Sequence, residues 1–281
     1  MRTPLRVLPA LLLVAACGDV SGTINTPGPT ASQALELGLA VTDEAESAVA
    51  AATVARVGSP PGWTLPAGCP TLTGTTDVDG DGIPDDGTYT FTAPPCVGAF
   101  RGGSIALTGA IDIIDPNTIN NFGFNLTYAN LTWTYADSSG PLSYSAVRNG
   151  TRLRLGSSDE VTTTSALTIV RSRPSRANAT VTWNGGSTFT AAVPGTISPG
   201  QPAPDGTLSL SGNLRWRRST EDWLVAVATP TPLVYDKDCT ATPRLKGGTL
   251  TLTGTIAGQS GTLQFTWSQC GIRPVATWIP D

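Results

Sequence analysis

Thr251-Leu252-Thr253-Gly254-Thr255, followed by Gly261-Thr262-Leu263-Gln264-Phe265-Thr266-Trp267, alternates small polar residues with leucine or aromatic rings. A strand sends successive side chains to opposite faces, so this pattern predicts two strands, each with one apolar and one threonine-rich face. The connection between them is short, which predicts a hairpin. The same alternation returns in Arg152-Leu153-Arg154-Leu155 and Thr180-Val181-Thr182-Trp183. Turn-forming residues punctuate the chain at Asp115-Pro116-Asn117, Asn149-Gly150, Asn184-Gly185-Gly186, Asp205-Gly206 and Gly247-Gly248. The spacing predicts roughly twelve strands, mostly joined as hairpins. The fold class is therefore all-β, a mainly antiparallel sandwich or curved sheet, over residues 59–281. The Pro- and Gly-rich stretch at 194–205 is the best internal break.

An internal repeat supports this reading. Thr71-Leu72-Thr73-Gly74-Thr75 leads to Gly87-Thr88-Tyr89-Thr90-Phe91 and then Cys96, as Thr251-Leu252-Thr253-Gly254-Thr255 leads to Gly261-Thr262-Leu263-Gln264-Phe265 and then Cys270. The aromatic-to-cysteine spacing is five in both copies. The first copy carries six extra residues at its tip.

One segment breaks the period of two. Residues 32–56 are rich in Ala, Leu and Glu, and predict an N-terminal helix with Ser32 as its cap, stopped by Gly58, Pro60 and Pro61. Leu35, Leu39, Thr42, Glu46 and Val49 recur at helical spacing, an apolar face thin enough to suit packing along a sheet.

Composition narrows the chemistry. The 281 residues contain no histidine, which removes Ser-His-Asp and Cys-His nucleophile systems and His-ligated zinc. Arg2 and Arg6 precede Cys17 and every acid follows it, which leaves 15 cations against 21 acids, a formal −6, on the part from Cys17 onward. That balance argues against nucleic acid as a partner. No nucleophile or acid–base constellation appears, so no catalytic residue is assigned. The paired carboxylates Asp112/Asp115 and Glu221/Asp222 are the residues a histidine-free carbohydrate-active enzyme would use.

Arg2 and Arg6, the apolar run Val7–Val14 and the small residues of Val14-Ala15-Ala16-Cys17 resemble the signal peptide and lipobox of bacterial lipoproteins. The resemblance implies cleavage of residues 1–16 and lipidation of Cys17, with residues 17–31 as a flexible tether. It implies the membrane as a partner and the cell envelope as the location. Gly18 after the cysteine, with Asp19 one place later, favours the outer membrane or the surface over the inner membrane. With Cys17 given to lipid, Cys69, Cys96, Cys239 and Cys270 are an even set in an exported chain, which reads as two disulfides. The repeat favours pairing 69–96 and 239–270.

The enlarged tip of the first repeat, residues 77–86, resembles the calcium loops of EF-hands, dockerins and thrombospondin type 3 repeats. Ca²⁺ takes six to eight oxygens, and Asp at loop positions 1, 3 and 5 brings carboxylates to one point. Those positions are Asp77, Asp79 and Asp81, with Gly82 at the turn, the carbonyl of Ile83 at position 7, Asp85 at position 9 and Asp86 as a further oxygen donor. Position 12 is Thr88, where an EF-hand has a bidentate Glu. The ion expected here is structural.

Arginine supplies a second candidate. Arg148, Arg152, Arg154, Arg171, Arg173 and Arg176 fall within one hairpin, and Arg215, Arg217 and Arg218 in a later strand. A face of guanidinium groups would hold phosphate or carboxylate. Aligning Leu153 and Leu155 with Ile169 and Leu167, however, buries the leucines and turns the arginines to solvent. The aromatics Trp133, Tyr135, Trp216 and Trp223 read as core rather than a carbohydrate platform. The expected function is a membrane-anchored, non-catalytic envelope module binding a protein, glycan or lipid. The alternatives are a carrier of a hydrophobic molecule in a curved-sheet cavity lidded by residues 32–56, or the carbohydrate-active enzyme.

Overall fold

In a computed structural model the described residues are 28–51 and 67–281, apart from 75, 81–82, 93, 95, 101–102, 116–122, 138–142, 175, 199–200 and 240–242. Cys17, the signal segment and residues 52–66 lie outside them, as do Asp81 and Gly82. One helix, α1 (Ala31–Ala51), precedes thirteen strands. These are β1 (Thr71–Thr73), β2 (Asp86–Phe91), β3 (Val97–Phe100), β4 (Gly103–Ile114), β5 (Phe124–Asp137), β6 (Tyr144–Gly156) and β7 (Glu160–Ser172). After them come β8 (Ala179–Ala191), β9 (Gly206–Arg218), β10 (Glu221–Tyr235), β11 (Leu245–Ile256), β12 (Gln259–Thr266) and β13 (Val275–Pro280). They form a single antiparallel sheet in chain order, with β3 beside β4 off the main path. The sheet is not closed.

The fold is thus the single curved sheet of the two architectures expected, not a sandwich. From β4 to β13 one face alone is buried, as in the alternation of Val161, Thr163, Ser165, Leu167 and Ile169 along β7. A single turn of α1, Ala40 to Glu44, borders the same small void as Ile169 of β7, Trp183 of β8, Leu214 of β9, Val227 of β10 and Leu250 of β11. In a flat sheet β7 and β11 would stand about 19 Å apart. The sheet therefore coils around the helix. Two mid-strand glycines let it bend: Gly150 (φ 119°) and Gly212 (φ 146°) adopt backbone that L side chains avoid, and a Cβ would sit 2.1 Å and 2.4 Å from the neighbouring strand's carbonyls.

This bending corrects the turn assignments. Asn149-Gly150 lies inside β6, Asn184-Gly185-Gly186 inside β8 and Gly247-Gly248 inside β11. Opposite Gly150 the partner strand shifts register around Asn130, whose amide donates to Asn149 Oδ1 at 2.8 Å. The signature of a tight turn here marks a bulge. The stretch 194–205 is the connection between β8 and β9, which pair from Thr180↔Arg217 to Ala191↔Gly206 within the one sheet.

Helix α1 starts one residue earlier than expected, and Thr30 rather than Ser32 caps it. The Gln33 amide donates to Thr30 Oγ1 while Thr30 N donates to Gln33 Oε1 at 2.8 Å, the reciprocal pair of a capping box. The face against the sheet is Ala34, Leu37, Gly38, Ala40, Val41, Ala45, Ala48 and Val49, whereas Leu35 and Leu39 are only half buried. Small residues let the helix sit close; a Cβ on Gly38 would lie 2.8 Å from the Phe265 ring. Before the helix, Gly28 packs on Trp278 of β13 and Pro29 is buried, so the end of the expected tether belongs to the domain.

The repeat holds at the level of register. Leu72↔Tyr89 and Thr73↔Thr88 in β1–β2 correspond to Leu252↔Leu263 and Thr253↔Thr262 in β11–β12. Both expected disulfides are present, Cys69–Cys96 and Cys239–Cys270, with Cα atoms 5.2 Å and 6.1 Å apart.

Candidate functional site

The helix carries three buried glutamates, Glu36, Glu44 and Glu46, and the sheet answers them with arginine. A buried carboxylate persists only when paired and hydrogen-bonded. On β6 the inward residues are Ala146, Arg148, Arg152 and Arg154, because Arg152 pairs with Ser165 and Arg154 with Thr163. Arg152 and Arg154 are 0% exposed, while Leu153 and Leu155 are 36% and 41% exposed. The expected register is therefore overturned. The leucines face solvent and the arginines line the interior, because the glutamates of α1 stand where an apolar helix face would otherwise be.

Glu44 binds Arg152 directly and lies 3.7 Å from Arg148. Arg152 also donates to Ser165 Oγ and to the Ser47 carbonyl, both at 3.0 Å, and Arg148 to Ser47 Oγ at 2.7 Å. The Arg148 guanidinium lies 4.9 Å from the Trp133 ring centroid, and that of Arg154 lies 5.0 Å from Phe124. Burial, only partly offset by Glu44, lowers the Arg148 pKa. At Arg152 burial pulls the same way but is outweighed by Glu44, Tyr128 and the Glu44 hydrogen bond, so its pKa ends above the ordinary value. Glu46 accepts the backbone N–H of Arg244.

Nearer the start of the helix the arginines outnumber their partners around a cleft of about 250 Å³. Its lining comes from one stripe of α1 (Glu36, Leu39, Asp43), the adjoining ends of β5 and β6 (Tyr135, Tyr144), Arg171 of β7 with Arg173 beyond it, Trp216 and Arg218 of β9, and Arg273 before β13. Glu36 takes both Arg176 and Arg218, and Asp43 takes Arg171. The Arg173 and Arg273 side chains have no hydrogen-bond or ion-pair partner among the described residues. Three guanidinium groups thus share two carboxylates, with those of Arg173 and Arg273 close by. Burial, reinforced by the Arg173 charge, pushes the Arg171 pKa down to about 10. Burial lowers that of Arg173 as well. Both shifts are led by loss of solvation, which disfavours the charged guanidinium.

A second hollow of about 80 Å³ adjoins this cleft and shares Leu39, Asp43 and Arg273 with it. Its wall mixes Leu35, Phe265, Pro243, Pro274 and Ala276 with the polar side chains of Thr42, Asp43, Glu46 and Arg273. Beneath the helix the void bordered by Val41 and Trp183 is only about 10 Å³, room for a single water at most.

The other sequence candidates separate. In the 77–86 tip, Gly80 N donates to Asp77 Oδ1 at 2.8 Å and Val78 N to Asp85 Oδ1 at 3.3 Å, while Ile83 buries its side chain. Asp86 opens β2, and Thr88 turns away to donate to Asp112 Oδ1 at 2.8 Å. No cluster of three metal-ligating side chains occurs among the described residues, which do not include Asp81. Glu221 accepts from Gln33 Nε2 at 2.8 Å, and Asp222 accepts from Arg215 at 2.7 Å. As consecutive strand residues they face opposite sides. Trp216 and Trp223 stack at 6.4 Å inside the core, so they form no exposed platform. Among the described residues no helix is long and apolar enough to cross a membrane.

Sequence reasoning named Arg171, Arg173 and Arg218 but dispersed them, and passed over Glu36, Asp43 and Arg273. The available signal was Glu36, Glu44 and Glu46 in a helix otherwise made of small apolar residues, since acids placed among buried positions call for cations opposite. No known protein family, curated protein or solved structure matches the chain.

Proposed function

We propose that this protein is a lipid-anchored, non-catalytic binding module of the bacterial envelope, held by Cys17 at the outer membrane or surface, and that it takes an anionic ligand in the arginine-lined cleft. The observation that carries the reading is the surplus of guanidinium groups over carboxylates around an open cleft. A planar guanidinium donates paired hydrogen bonds that match carboxylate or phosphate oxygens. The absence of histidine and the engagement of Glu221 and Asp222 in other contacts support binding over catalysis. The filled space beneath the helix weighs against the hydrophobic-carrier alternative. Calcium at residues 77–86 is proposed as a structural ion that stiffens the tip.

The test is calorimetric unfolding of the full chain with inorganic phosphate at constant ionic strength. A ligand bound by the folded state alone raises stability by RT ln(1 + [L]/Kd), so the melting temperature climbs with log concentration. Arg171→Gln with Arg173→Gln removes the climb. A wild-type melting temperature indifferent to phosphate and to acetate refutes the reading. Palmitate labelling that persists in a Cys17→Ala variant refutes the anchor.

A further inference from the structure

We infer that the head of the ligand is the dianionic PO₃ group of a phosphate monoester, bridging Arg171 and Arg173 on one side to Arg218 on the other. The inference rests on the anion-binding reading of the cleft and names the class of anion. Strand register builds the bridge. Arg171 of β7 stands opposite Ala179 of β8, and Thr180 stands opposite Arg217, so Ala179 is level with Arg218 of β9. Neighbouring strands lie about 4.8 Å apart, which puts the backbones of Arg171 and Arg218 about 10 Å from each other. The strand between them brings only methyl groups to this place, Ala179 on the buried face and Ala177 in the cleft wall. A gap is left between guanidinium groups that reach in from both sides. Both are already oriented: Asp43 holds Arg171, and Arg218 is fixed between Glu36 and the Trp216 ring, whose centroid is 5.0 Å away.

Charge and shape select the monoester. Among the residues lining the cleft, four guanidinium groups face two carboxylates, which leaves two positive charges to be met. With Arg176, which shares Glu36, counted in place of the exposed Arg273, the balance is the same. A carboxylate or a phosphodiester brings one negative charge, and a phosphate monoester near neutral pH brings about two. A carboxylate also offers its oxygens along a single edge, whereas PO₃ offers three that diverge and accept from both sides at once. Room is limited: at about 30 Å³ for a water-sized group, a cleft of about 250 Å³ holds about eight such groups. That admits the phosphate and the first atoms of the group it esterifies. Besides the guanidinium groups, the ionisable side chains lining the cleft are the carboxylates of Glu36 and Asp43 and the phenols of Tyr135 and Tyr144. The chain has no histidine, and none of these classes ordinarily titrates between pH 5 and 8. The second ionisation of the ligand, near pH 6, is then what binding reports across that range.

Isothermal titration of the full chain with methyl phosphate, dimethyl phosphate and acetate at constant ionic strength tests this. At pH 8 methyl phosphate is expected to bind about tenfold tighter than either monoanion, the effect of one further charge at close range. At pH 5 its affinity falls about five- to tenfold, because most of it then carries a single charge. Dimethyl phosphate has no second proton to lose and keeps its affinity throughout. Ala177→Leu fills the gap without changing charge and lowers methyl phosphate binding about tenfold or more. Arg217→Gln removes a cation from the outer face of β9 and leaves binding unchanged. The wild-type pH profile against dimethyl phosphate decides even where Ala177→Leu fails to fold. Glycerol phosphate and dihexanoyl phosphatidic acid carry the same head and separate its sources: tighter binding of the second marks a lipid headgroup, and of the first a soluble ester. Equal affinity for the three anions with no dependence on pH overturns the monoester and leaves the anion cleft standing. Methyl phosphate binding retained in Ala177→Leu overturns the bridge over β8. No binding of any anion overturns this inference and the anion-binding reading together.

Discussion

Replacing Glu44 by Gln keeps the shape of the side chain and an acceptor oxygen but removes its charge. In the folded protein Glu44 faces two buried guanidinium groups, Arg152 in direct contact and Arg148 at 3.7 Å. Both arginines are almost wholly shielded, with side-chain exposures of 0% and 6%. Removing one partner of a buried pair costs about 3–5 kcal/mol, because an uncompensated charge stays behind. A domain of this size loses about 2–4 °C of melting temperature per kcal/mol, so Glu44→Gln is expected to lower it by roughly 6–20 °C. The reverse substitution is milder. Arg152→Met leaves Glu44 with Arg148, and its cost falls below that of Glu44→Gln. The double variant Glu44→Gln/Arg152→Met restores part of the loss, leaving Arg148 as the unpaired charge. Urea unfolding followed by circular dichroism gives all three free energies. If Glu44→Gln costs less than about 1 kcal/mol, or the double variant costs the full sum of the singles, the two residues do not compensate each other and the interior placement of β6 is wrong.

The same placement predicts that Leu153→Ser and Leu155→Ser, both on the solvent face, change stability by no more than about 0.5 kcal/mol in urea; a core register would make each cost several times that. Calcium titration should raise the melting temperature of the wild type but not of Asp79→Ala/Asp81→Ala, and a wild-type melting temperature unmoved by millimolar calcium would sink the loop assignment. Burial raises the pKa of Tyr89 and of Tyr235, where Arg244 offsets only part of it. An unfolded tyrosine ionises near 10, so their contribution to stability is complete below that pH and is lost as pH rises above it. Ultraviolet titration of the folded protein should show Tyr89 and Tyr235 ionising later than free tyrosine, a late phase lost in Tyr89→Phe/Tyr235→Phe, and its absence from the wild type would contradict the burial.

Period-two alternation carries the sheet, because Thr-Leu-Thr-Gly-Thr and Gly-Thr-Leu-Gln-Phe can bury only one face. It says nothing about which alternate set is buried when the apolar and charged sets interleave. In Arg152-Leu153-Arg154-Leu155 hydropathy favours the leucines, and the decision is made by residues about a hundred positions earlier. Glu36, Glu44 and Glu46 put negative charge on a helix that the coiled sheet surrounds, and each must meet a donor there. Hairpin signals failed for a related reason. Asn149-Gly150 permits a turn and also permits a bulge, and only the long strands needed to wrap α1 select the bulge. The disulfides were readable because the repeat fixes Cys96 and Cys270 at equal offsets from Phe91 and Phe265.

One arrangement accounts for both the interior and the cleft. The helix is held to β6 around Glu44, which answers Arg152 and Arg148, while the Ser47 hydroxyl and carbonyl take further donors. On another stripe of the helix Glu36 and Asp43 are shared among Arg171, Arg176 and Arg218, with Arg173 and Arg273 beside them. Packing alone would favour apolar residues in place of Arg171 and the half-buried Arg173, since burying guanidinium costs more than its partial pairing returns. At this cleft an incoming anion can complete the pairing. Arg173→Leu/Arg273→Leu therefore separates stability from function: a structural network loses stability in that variant. A ligand site keeps or gains stability while losing anion binding.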